Sequence, residues 1–291
     1  MASSARSTGS SRTGWPDLTL LAILAATLAA GIGSVWLAAA LMRVGLPTNP
    51  GAGATQHLLS LAAGALLATA FMHLLPEAFE SGAGVRGLFV TLLVSVVFFF
   101  LLDKAELWHH GHEHHHGEPH AHVHDAGHGD HGQGHEHGKS LPSGGWAVLA
   151  GDSVHCFGDG VLIASAFVAD LRLGLVAAVA VLAHEVPHHI GDLAVVRETT
   201  GSRRAALVKV SLAGAVTPLG GLIGWWLVEQ MGTLLPFLLV VAASSFIYVA
   251  LADLIPQLQK RLGARQSLTQ VAWLALGILL VTVVSQLGHA H

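Results

Sequence analysis

Two stretches of the chain place histidine and carboxylate side chains at helical spacing. In the first, GDSVHCFGDG, Asp152, His155 and Asp159 are three and four residues apart, so a helix would present them on one face. Cys156 lies beside them. Imidazole nitrogen, carboxylate oxygen and thiolate sulfur are the donors that bind zinc and similar divalent cations. This stretch therefore predicts a metal-binding face, with Cys156 either a ligand for a soft cation or a small packing residue.

The second stretch, AHEVPHHIGD, carries the same kinds of donor on two adjoining stripes. His184, His188 and Asp192 recur every four residues, and Glu185 and His189 form a parallel stripe beside them. A lone histidine in an apolar helix is normally satisfied by one hydrogen bond. So many metal-capable side chains in two short stretches exceed what packing requires. We interpret the two stretches together as the walls of one metal site.

The second stretch also matches a zinc-protease motif. The run His184-Glu185-Val186-Pro187-His188 reads H-E-x-x-H, in which the two histidines bind zinc and the glutamate acts as general base. Proline opposes this interpretation, because it removes a backbone hydrogen bond from the helix that sets the geometry of the two histidines. No third ligand in a protease context is apparent. An intramembrane metalloprotease is therefore an alternative to transport, and the preferred interpretation is that the chain is not an enzyme.

The elements that position these side chains must lie in a membrane. Of the 291 residues, 52% are hydrophobic and 11% are charged, and the mean hydropathy is +0.59. Soluble proteins carry roughly 25% charged residues, so this composition excludes an ordinary soluble enzyme. The net charge of −4 argues against a nucleic-acid partner. An ionisable side chain at mid-membrane costs roughly 2.5–3.5 kcal/mol on insertion scales, which makes each one a functional residue by default.

The sequence predicts an all-α membrane protein with eight transmembrane helices. A span needs about 20 mostly apolar residues, and turn-forming breaks such as Ser81-Gly82-Ala83-Gly84 separate the candidates. The predicted spans are Leu18–Leu41, His57–Phe79, Leu88–Leu107, Trp146–Ala169, Leu173–Val196, Ala205–Val228, Leu234–Leu258 and Ser267–Leu287. They divide the chain into a tail (1–17), spans 1–3 (18–107), a loop (108–145), spans 4–8 (146–287) and a second tail (288–291).

The distribution of lysine and arginine predicts the orientation. Four basic residues fall on one side: Arg6, Arg12, Arg86 and Arg172. Ten fall on the other: Arg43, Lys104, Lys139, Arg197, Arg203, Arg204, Lys209, Lys260, Arg261 and Arg265. We therefore expect both termini outside and the loop 108–145 in the cytoplasm. We expect a plasma-membrane location. The Ala- and Gly-rich content and the short loops favour a bacterial inner membrane.

The long loop is rich in histidine. Residues 109–137 contain 13 histidines in 29 positions, mixed with Gly, Glu and Asp. Such a segment has almost nothing apolar to bury, so we expect it to be disordered. Its irregular spacing indicates a weak, multi-site metal buffer, and an incidental low-complexity linker is the alternative.

Internal repetition predicts inverted-repeat symmetry. The segment AAGALLATAFMHLLPE (62–77) aligns with AASSFIYVALADLIPQ (242–257) at a constant offset of 180. Within this alignment His73 faces Asp253, and Glu77 closes the first copy. The motif His155-x3-Asp159 similarly matches the second stretch at an offset of 29. Spans 2 and 7, and spans 4 and 5, would run in opposite directions, as in secondary transporters.

These motifs resemble the ZIP family of metal transporters. The resemblance lies in HCFGDG (155–160), in HEVPHHIGD (184–192), and in HLLPE (73–77) with YVALADLIP (248–256), and it covers all eight spans. The match is to the subfamily with HExPH in the fifth helix and a His-rich loop after the third. It implies import of a divalent cation, usually zinc, between helices 4 and 5. By position it implies five ligands: His155, Asp159, His184, Glu185 and His188.

Three positions depart from the commoner family pattern. Cys156 stands where Asn is usual, and His189 stands where many relatives have Glu. Thr217 precedes Pro218 where some bacterial relatives place a Glu that completes a second metal position. These departures argue against a two-metal centre. We nevertheless include Cys156, His189 and Asp192 among the candidate ligands.

The resulting hypothesis is zinc import down its gradient, with no resident cofactor. Cadmium, iron(II) and manganese(II) are alternative cargo. The metal would leave through polar groups drawn from His73, Glu77, Asp152 and Asp253, and the His-rich loop would receive it. Helices 1, 4, 5 and 6 would move against 2, 3, 7 and 8, as the resemblance implies. A cation exporter and a metal-storage protein remain alternatives, and a homodimer is an open prediction.

Overall fold

The computed structural model describes residues 15–45, 53–111, 144–258 and 263–287 of the chain. Nearly all of the predicted His-rich loop, namely residues 112–143, lies outside the described residues. The tail 288–291 and residues 1–14 of the other tail also lie outside them. Within the described ranges every regular element is helical.

Eight helices are long and apolar enough to cross a membrane, which confirms the predicted number and class. In chain order, these eight spans are Leu18–Arg43, Gly53–Glu80, Val85–Leu102, Leu149–Ala169, Leu171–Thr200, Arg203–Gln230, Gly232–Ala252 and Arg265–Gln286. We refer to them as spans 1 to 8. The chain is therefore an integral, multi-pass membrane protein.

Several spans are built from more than one helical segment. Their α-helices are Trp15–Leu28, Ser34–Arg43, Gly53–Thr69, Leu75–Glu80, Val85–Gly111, Gly144–Ala169, Leu171–Thr200, Arg203–Gly214, Val216–Gln230, Leu235–Tyr248, Ile255–Leu258 and Ala264–Leu287. A 3₁₀ turn, Gly232–Leu234, opens span 7. Span 5 stays a single helix through Pro187, whose missing N–H leaves the carbonyl of Ala183 without its usual intrahelical donor.

Spans 4 and 5 are joined by one residue, which forces them to lie side by side and antiparallel. Asp170 has an extended backbone (φ −159°, ψ 142°), and its carboxylate accepts hydrogen bonds from the backbone N–H groups of Arg172 and Leu173 at 2.9 and 3.2 Å. These bonds satisfy donors that the first turn of a helix leaves free. At the other terminus of span 5, Gly201 takes the left-handed conformation (φ 67°) that ends the helix.

Three spans contain a π-helical segment: Ala29–Gly33 in span 1, Ala70–Leu74 in span 2 and Val249–Leu254 in span 7. The last two precede Pro76 and Pro256, which stand at the second position of the following α-helix. A wider turn relieves the clash of a proline ring with the preceding turn. The two segments occupy corresponding places in the repeat at an offset of 180, which is a local likeness between spans 2 and 7.

Small residues let span 6 approach span 4 closely. A Cβ atom on Gly160 would collide with the backbone oxygen of Thr217, and one on Gly220 would collide with that of Phe157. Only glycine at both positions allows the two backbones to touch, as is common between membrane helices. This contact holds the outer face of span 4 while its opposite face packs on span 5.

The bundle has two distinguishable ends. At one end, called here the basic end, Arg43 closes span 1, Arg197 lies near the end of span 5 and Arg203 begins span 6, all three around one cavity. At the other, the Asp170 end, span 4 turns into span 5. Span 2 begins near the basic end and finishes at Glu80 at the Asp170 end.

Candidate metal centre

Four donors from spans 4 and 5 converge in the middle of the helix pair. This first group contains His155, Asp159, His184 and Glu185, and their donor atoms all lie within 4.8 Å of one another. Nε2 of His184 is 3.2 Å from both Asp159 Oδ2 and Glu185 Oε1. Nε2 of His155 is 3.2 Å from Glu185 Oε1, 3.8 Å from Asp159 Oδ2 and 3.3 Å from His184 Nε2.

These separations match the coordination shell of a zinc-sized ion. Four ligands at about 2.0–2.1 Å around a tetrahedral centre are about 3.3–3.4 Å from one another. The five measured edges of the first group run from 3.2 to 3.8 Å. Two nitrogen and two oxygen donors of this kind suit zinc and other borderline divalent cations. The first group can therefore hold one such ion with little rearrangement.

The backbone of span 5 sets the tautomer of His184. Its Nδ1 lies 3.2 Å from the carbonyl oxygen of Ala180, one turn earlier. A carbonyl oxygen only accepts hydrogen bonds, so Nδ1 must carry the proton. In the neutral ring, Nε2, which faces Asp159 and Glu185, then carries the free electron pair. Such outer-shell bonds orient metal-binding histidines and hold the coordinating nitrogen unprotonated.

A second group adjoins the first and contains a sulfur atom. It consists of Asp152, Cys156, Glu185 and His189, all buried. His189 Nε2 is 3.2 Å from Glu185 Oε2 and 3.7 Å from Asp152 Oδ1. Cys156 Sγ is 3.6 Å from Asp152 Oδ1 and 3.8 Å from Glu185 Oε2. Glu185 therefore belongs to both groups, with Oε1 facing the first and Oε2 the second.

Span 1 fixes the histidine of the second group. The hydroxyl of Ser34 donates to the carbonyl oxygen of Gly31 at 2.6 Å, which uses its only hydrogen. Its contact of 2.9 Å with Nδ1 of His189 must then have the ring as donor. In the neutral ring, Nε2 of His189 is again the nitrogen with the free electron pair, and it lies 3.2 Å from Glu185 Oε2. Ser34 is fully buried directly after the π-helical segment Ala29–Gly33.

A third group lies closer to the basic end. It contains Asp152, His188 and Asp192. Nδ1 of His188 is 3.1 Å from Asp192 Oδ2 and 3.7 Å from Asp152 Oδ1. Asp152 is thus shared between the second and third groups. His184 and His188, four residues apart, belong to different groups because each is held by its own carboxylate.

The buried charge of the three groups calls for a cation. Four carboxylates meet four histidines, and every ion pair found in the described part of the chain has histidine as its basic member. Several buried donor atoms have no hydrogen-bond partner among the described residues although they approach one another closely, namely Asp152 Oδ2, Asp159 Oδ2, Glu185 Oε1, His188 Nδ1, His189 Nε2 and Asp192 Oδ2. If these histidines are neutral, the buried carboxylates lack an opposite charge, which is costly. A divalent ion between them would supply the missing positive charge.

The groups open toward one end only. The side chains of His155 and His188 stack at 5.4 Å and are 28% and 37% exposed, whereas those of His184, Asp159 and Glu185 are 3% exposed or less. Phe246 of span 7 is fully buried against His184, with ring centroids 6.4 Å apart, and belongs to an apolar core. Ile163, Phe167 and Val181 continue that apolar core. Access in this conformation is therefore from the side of His188 and Asp192.

The sequence model of the "ZIP Zinc transporter" family matches residues 17–285 of the chain. That match covers seven spans and all but the last residue of the eighth. The chain belongs to the ZIP zinc transporter family. The family resemblance expected from the HCFGDG and HEVPHH motifs is thereby confirmed.

Individual ZIP relatives match over different lengths. Zinc transporter ZIP13 of Pongo abelii is 28% identical over 262 residues, which cover 82% of this chain and 70% of that protein. Zinc transporter ZIP10 of Homo sapiens is 35% identical over 113 residues, or 39% of this chain and 14% of that protein. Zinc transporter ZIP4 of Homo sapiens is 36% identical over 115 residues, which cover 40% of this chain and 18% of that protein. The chain thus spans only a small part of the length of ZIP10 and ZIP4.

The structure distributes the predicted ZIP ligands over three groups instead of one. His155, Asp159, His184 and Glu185 share the first, and His188 faces the third. The candidates that depart from the family pattern, Cys156 and His189, meet in the second with Asp152. The His, Cys, Asp and Glu donors of that group all come from spans 4 and 5, and the buried Thr217 of span 6 lies close to the Cys156 thiol.

The predicted pathway residues of spans 2 and 7 lie elsewhere. His73 falls in the π-helical segment of span 2 and Glu77 in the helix after it, so both lie toward the Asp170 end. Neither belongs to any of the three groups found among the described residues. Asp253 lies in the π-helical segment of span 7. The buried Nε2 of His73 has no hydrogen-bond partner within the described ranges.

Sequence reasoning missed Ser34. Serines in apolar helices commonly donate to a carbonyl of their own helix, and Ser34 does so too. A single serine in the first span therefore carries no spacing pattern that would reveal a second, functional contact. Its contact with His189 joins residues 155 positions apart. The only available signal was the cluster of Gly31, Gly33 and Ser34, which marks a helix that departs from regular geometry.

Proposed function

We propose that this ZIP-family chain imports zinc into the cytoplasm through the first group. The observation that carries the proposal is the convergence of His155, Asp159, His184 and Glu185 at separations of 3.2–3.8 Å inside an apolar helix pair. Two imidazoles and two carboxylates bind zinc without the thiolate cage of structural sites. Cadmium, iron(II) and manganese(II) are alternative cargo for the same donors. Transport follows the gradient of the ion, since the sequence contains no P-loop motif.

Shared carboxylates give the ion a stepwise route out of the first group. Glu185 offers one oxygen to the first group and the other to the second, and Asp152 belongs to both the second and the third. An ion can therefore exchange one ligand at a time and is never stripped of all its ligands at once. The third group, with the exposed His188, is the last of these positions before solvent.

The predicted orientation says which side of the membrane the open end faces. The excess of Lys and Arg at the basic end predicts that this end faces the cytoplasm. The three groups open toward the same end, and an apolar core closes the other. In this orientation the conformation is open to the inside. His73 and Glu77 then lie on the entry side, and not on the exit route that their motif had led us to expect.

A bacterial inner membrane is the proposed location, on the Ala- and Gly-rich content and short links of the chain. Assembly as a homodimer stays a prediction. Both proposals are independent of the metal site.

Two observations argue against the protease alternative. A protease of the H-E-x-x-H type holds one zinc with both histidines and leaves the glutamate free as a base. Here Glu185 lies within the first group, while His188 faces Asp192. An exporter would use the same donors in the opposite direction, so only the direction of flux separates it from an importer.

The test is zinc flux in proteoliposomes in which the orientation of the protein has been determined by protease protection. We expect zinc to enter the compartment that the basic end faces, and His184→Ala to reduce this flux to the level of empty vesicles. His57→Ala is the matched control, because His57 stacks on Trp273 at 5.3 Å and belongs to none of the metal groups. Equal flux in both variants would refute the site, and flux only in the opposite direction would refute import.

The His-rich loop requires a separate experiment. Deletion of residues 109–137 should leave the initial rate of zinc flux unchanged, because the three groups contain none of its residues. The deletion should reduce only the amount of zinc that the protein retains at equilibrium. Complete loss of flux would show that the loop is part of the pathway.

A further inference from the structure

A cavity of about 120 Å³ lies at the basic end, apart from the metal groups. Spans 1, 5 and 6 each contribute one arginine to it, namely Arg43, Arg197 and Arg203. All three arginines are exposed, whereas Leu193 and Ala206, which also line the cavity, are buried. The cavity therefore has an apolar interior and a basic mouth.

The charge at this mouth is unbalanced. No carboxylate lines the cavity, and within residues 15–45, 53–111, 144–258 and 263–287 no ion pair joins any of its arginines to an acid. Asp192, next to Leu193, is turned toward His188 at 3.1 Å. Three converging guanidinium groups repel one another unless an anion lies between them. The planar donor fork of arginine fits phosphate oxygens best of all the basic side chains.

The position of the cavity identifies the kind of phosphate. Arg43 is the last residue of span 1 and Arg203 the first of span 6, so the mouth lies at the depth of lipid headgroups. The apolar interior, completed by Leu207, suits the glycerol and first acyl carbons of a lipid better than a free ion. Basic pockets between membrane helices bind anionic headgroups for this reason. We propose that the cavity binds the phosphate group of an anionic membrane lipid. The phosphate would contact one arginine from each of spans 1, 5 and 6 and so hold these spans together.

The test uses the full-length protein in a neutral detergent, with phosphatidylglycerol or phosphatidylcholine added, and measures the midpoint of thermal unfolding. We expect phosphatidylglycerol to raise the midpoint of the wild type by several degrees and phosphatidylcholine to leave it unchanged. The triple variant R43Q/R197Q/R203Q should lose this rise. The control K104Q/R204Q/R265Q removes three charges near the same end, from residues that do not line the cavity, and should keep it.

Several outcomes would overturn the proposal. An equal rise in the wild type and the cavity variant would show that phosphatidylglycerol acts elsewhere. If inorganic phosphate alone raised the unfolding midpoint as much as phosphatidylglycerol does, the cavity would bind a soluble anion and not a lipid. If the triple variant fails to fold, Arg197→Lys is the variant to measure, because it keeps the charge but loses the planar donor fork of arginine. We expect a smaller rise of the unfolding midpoint in this variant than in the wild type. An undiminished rise in Arg197→Lys would then refute the assignment. These measurements do not involve zinc, so the proposed transport function stands or falls separately.

Discussion

The two halves of spans 4 and 5 differ sharply although the same two helices form both. From Asp170 to the middle of the pair, the facing side chains are apolar and buried, including Ile163, Phe167 and Val181. From the middle to the basic end they include four histidines, four carboxylates and one cysteine, while Val186, Ile190 and Leu193 of span 5 pack in a second apolar cluster. One half thus forms a packed wall, while the other supplies every donor of the three groups.

This difference shows how a membrane helix pair can hold a cation without a polar channel through its whole length. The apolar half excludes water from the first group, so that its donors act at low dielectric and bind more strongly. The polar half offers successive ligands toward one end only. Under the proposed import, movement of the apolar half is the step that would admit an ion from the other side. The predictions below test the two halves separately.

The largest expected effect in the polar half comes from Glu185→Gln. This change removes the charged oxygens that the first and second groups share. The loss of zinc affinity should exceed the roughly 10–100-fold cost of losing an outer-shell partner, and zinc flux should fall to background. Calorimetric titration and flux would measure both. Glu198→Gln, at an exposed position of the same helix, is the control, and a normal affinity in Glu185→Gln would contradict the shared role.

Cys156 provides a spectroscopic signal for the second group. It is the only cysteine of the chain, so a sulfur-to-metal charge-transfer band on titration with cadmium can come from no other residue. We expect this band in the wild type and its complete absence in Cys156→Ser. Zinc flux should largely persist in Cys156→Ser, because the first group contains no sulfur. A wild type without the band would make Cys156 a packing residue.

Ser34→Ala should weaken the second group without touching the first. The change removes the acceptor for Nδ1–H of His189, which frees the ring to rotate or to change tautomer. Loss of such a partner costs roughly 10–100-fold in metal affinity. The cadmium titration of the Cys156 band would measure it. Ser34→Thr keeps the hydroxyl and should restore the affinity, whereas a purely structural role of Ser34 would leave the cadmium affinity unchanged.

The smallest effect on metal binding is expected from Phe246, a residue of span 7 that packs in the same core as the apolar half. Phe246→Ala would leave a cavity beside His184 and should lower the free energy of unfolding by about 3 kcal/mol, the lower end of the range for such truncations. Thermal unfolding in detergent would measure this loss, and zinc affinity should stay close to that of the wild type. Phe246→Leu should recover most of the stability. A large loss of zinc affinity in Phe246→Ala would mean that the apolar wall also shapes the first group.

Much of the fold followed from the sequence because a lipid solvent imposes strict rules on it. Length and apolar content predicted eight spans, and the structure has eight helices of that kind. The same reasoning could not find the three π-helical segments. Pro76 and Pro256 indicate that the helix is irregular near them. The spacing of apolar residues does not say whether the helix ends there, kinks, or takes one more residue into a turn. In span 1 no proline gives even that signal.

The candidate ligands could be named from spacing, but their grouping could not. Spacing places His184 and His188 on one face of span 5, but it does not predict which carboxylate of span 4 each of them will contact. That depends on how far one helix is shifted along the other, which the single-residue link at Asp170 helps to determine. The dual role of Glu185 and the part of Ser34 likewise arise only when three spans are packed together.

The π-helical segment Ala29–Gly33 has a consequence for the register of span 1. It accommodates one more residue in its turn than an α-helix does, and each residue corresponds to about 100° of rotation. Ser34 follows this segment directly. If one residue were deleted there and the turn became α-helical, everything before it would rotate by about 100° relative to everything after it. The hydroxyl of Ser34 and the lipid-facing surface of the first half of span 1 could no longer both be in place, so this span should not tolerate a change of length in the segment.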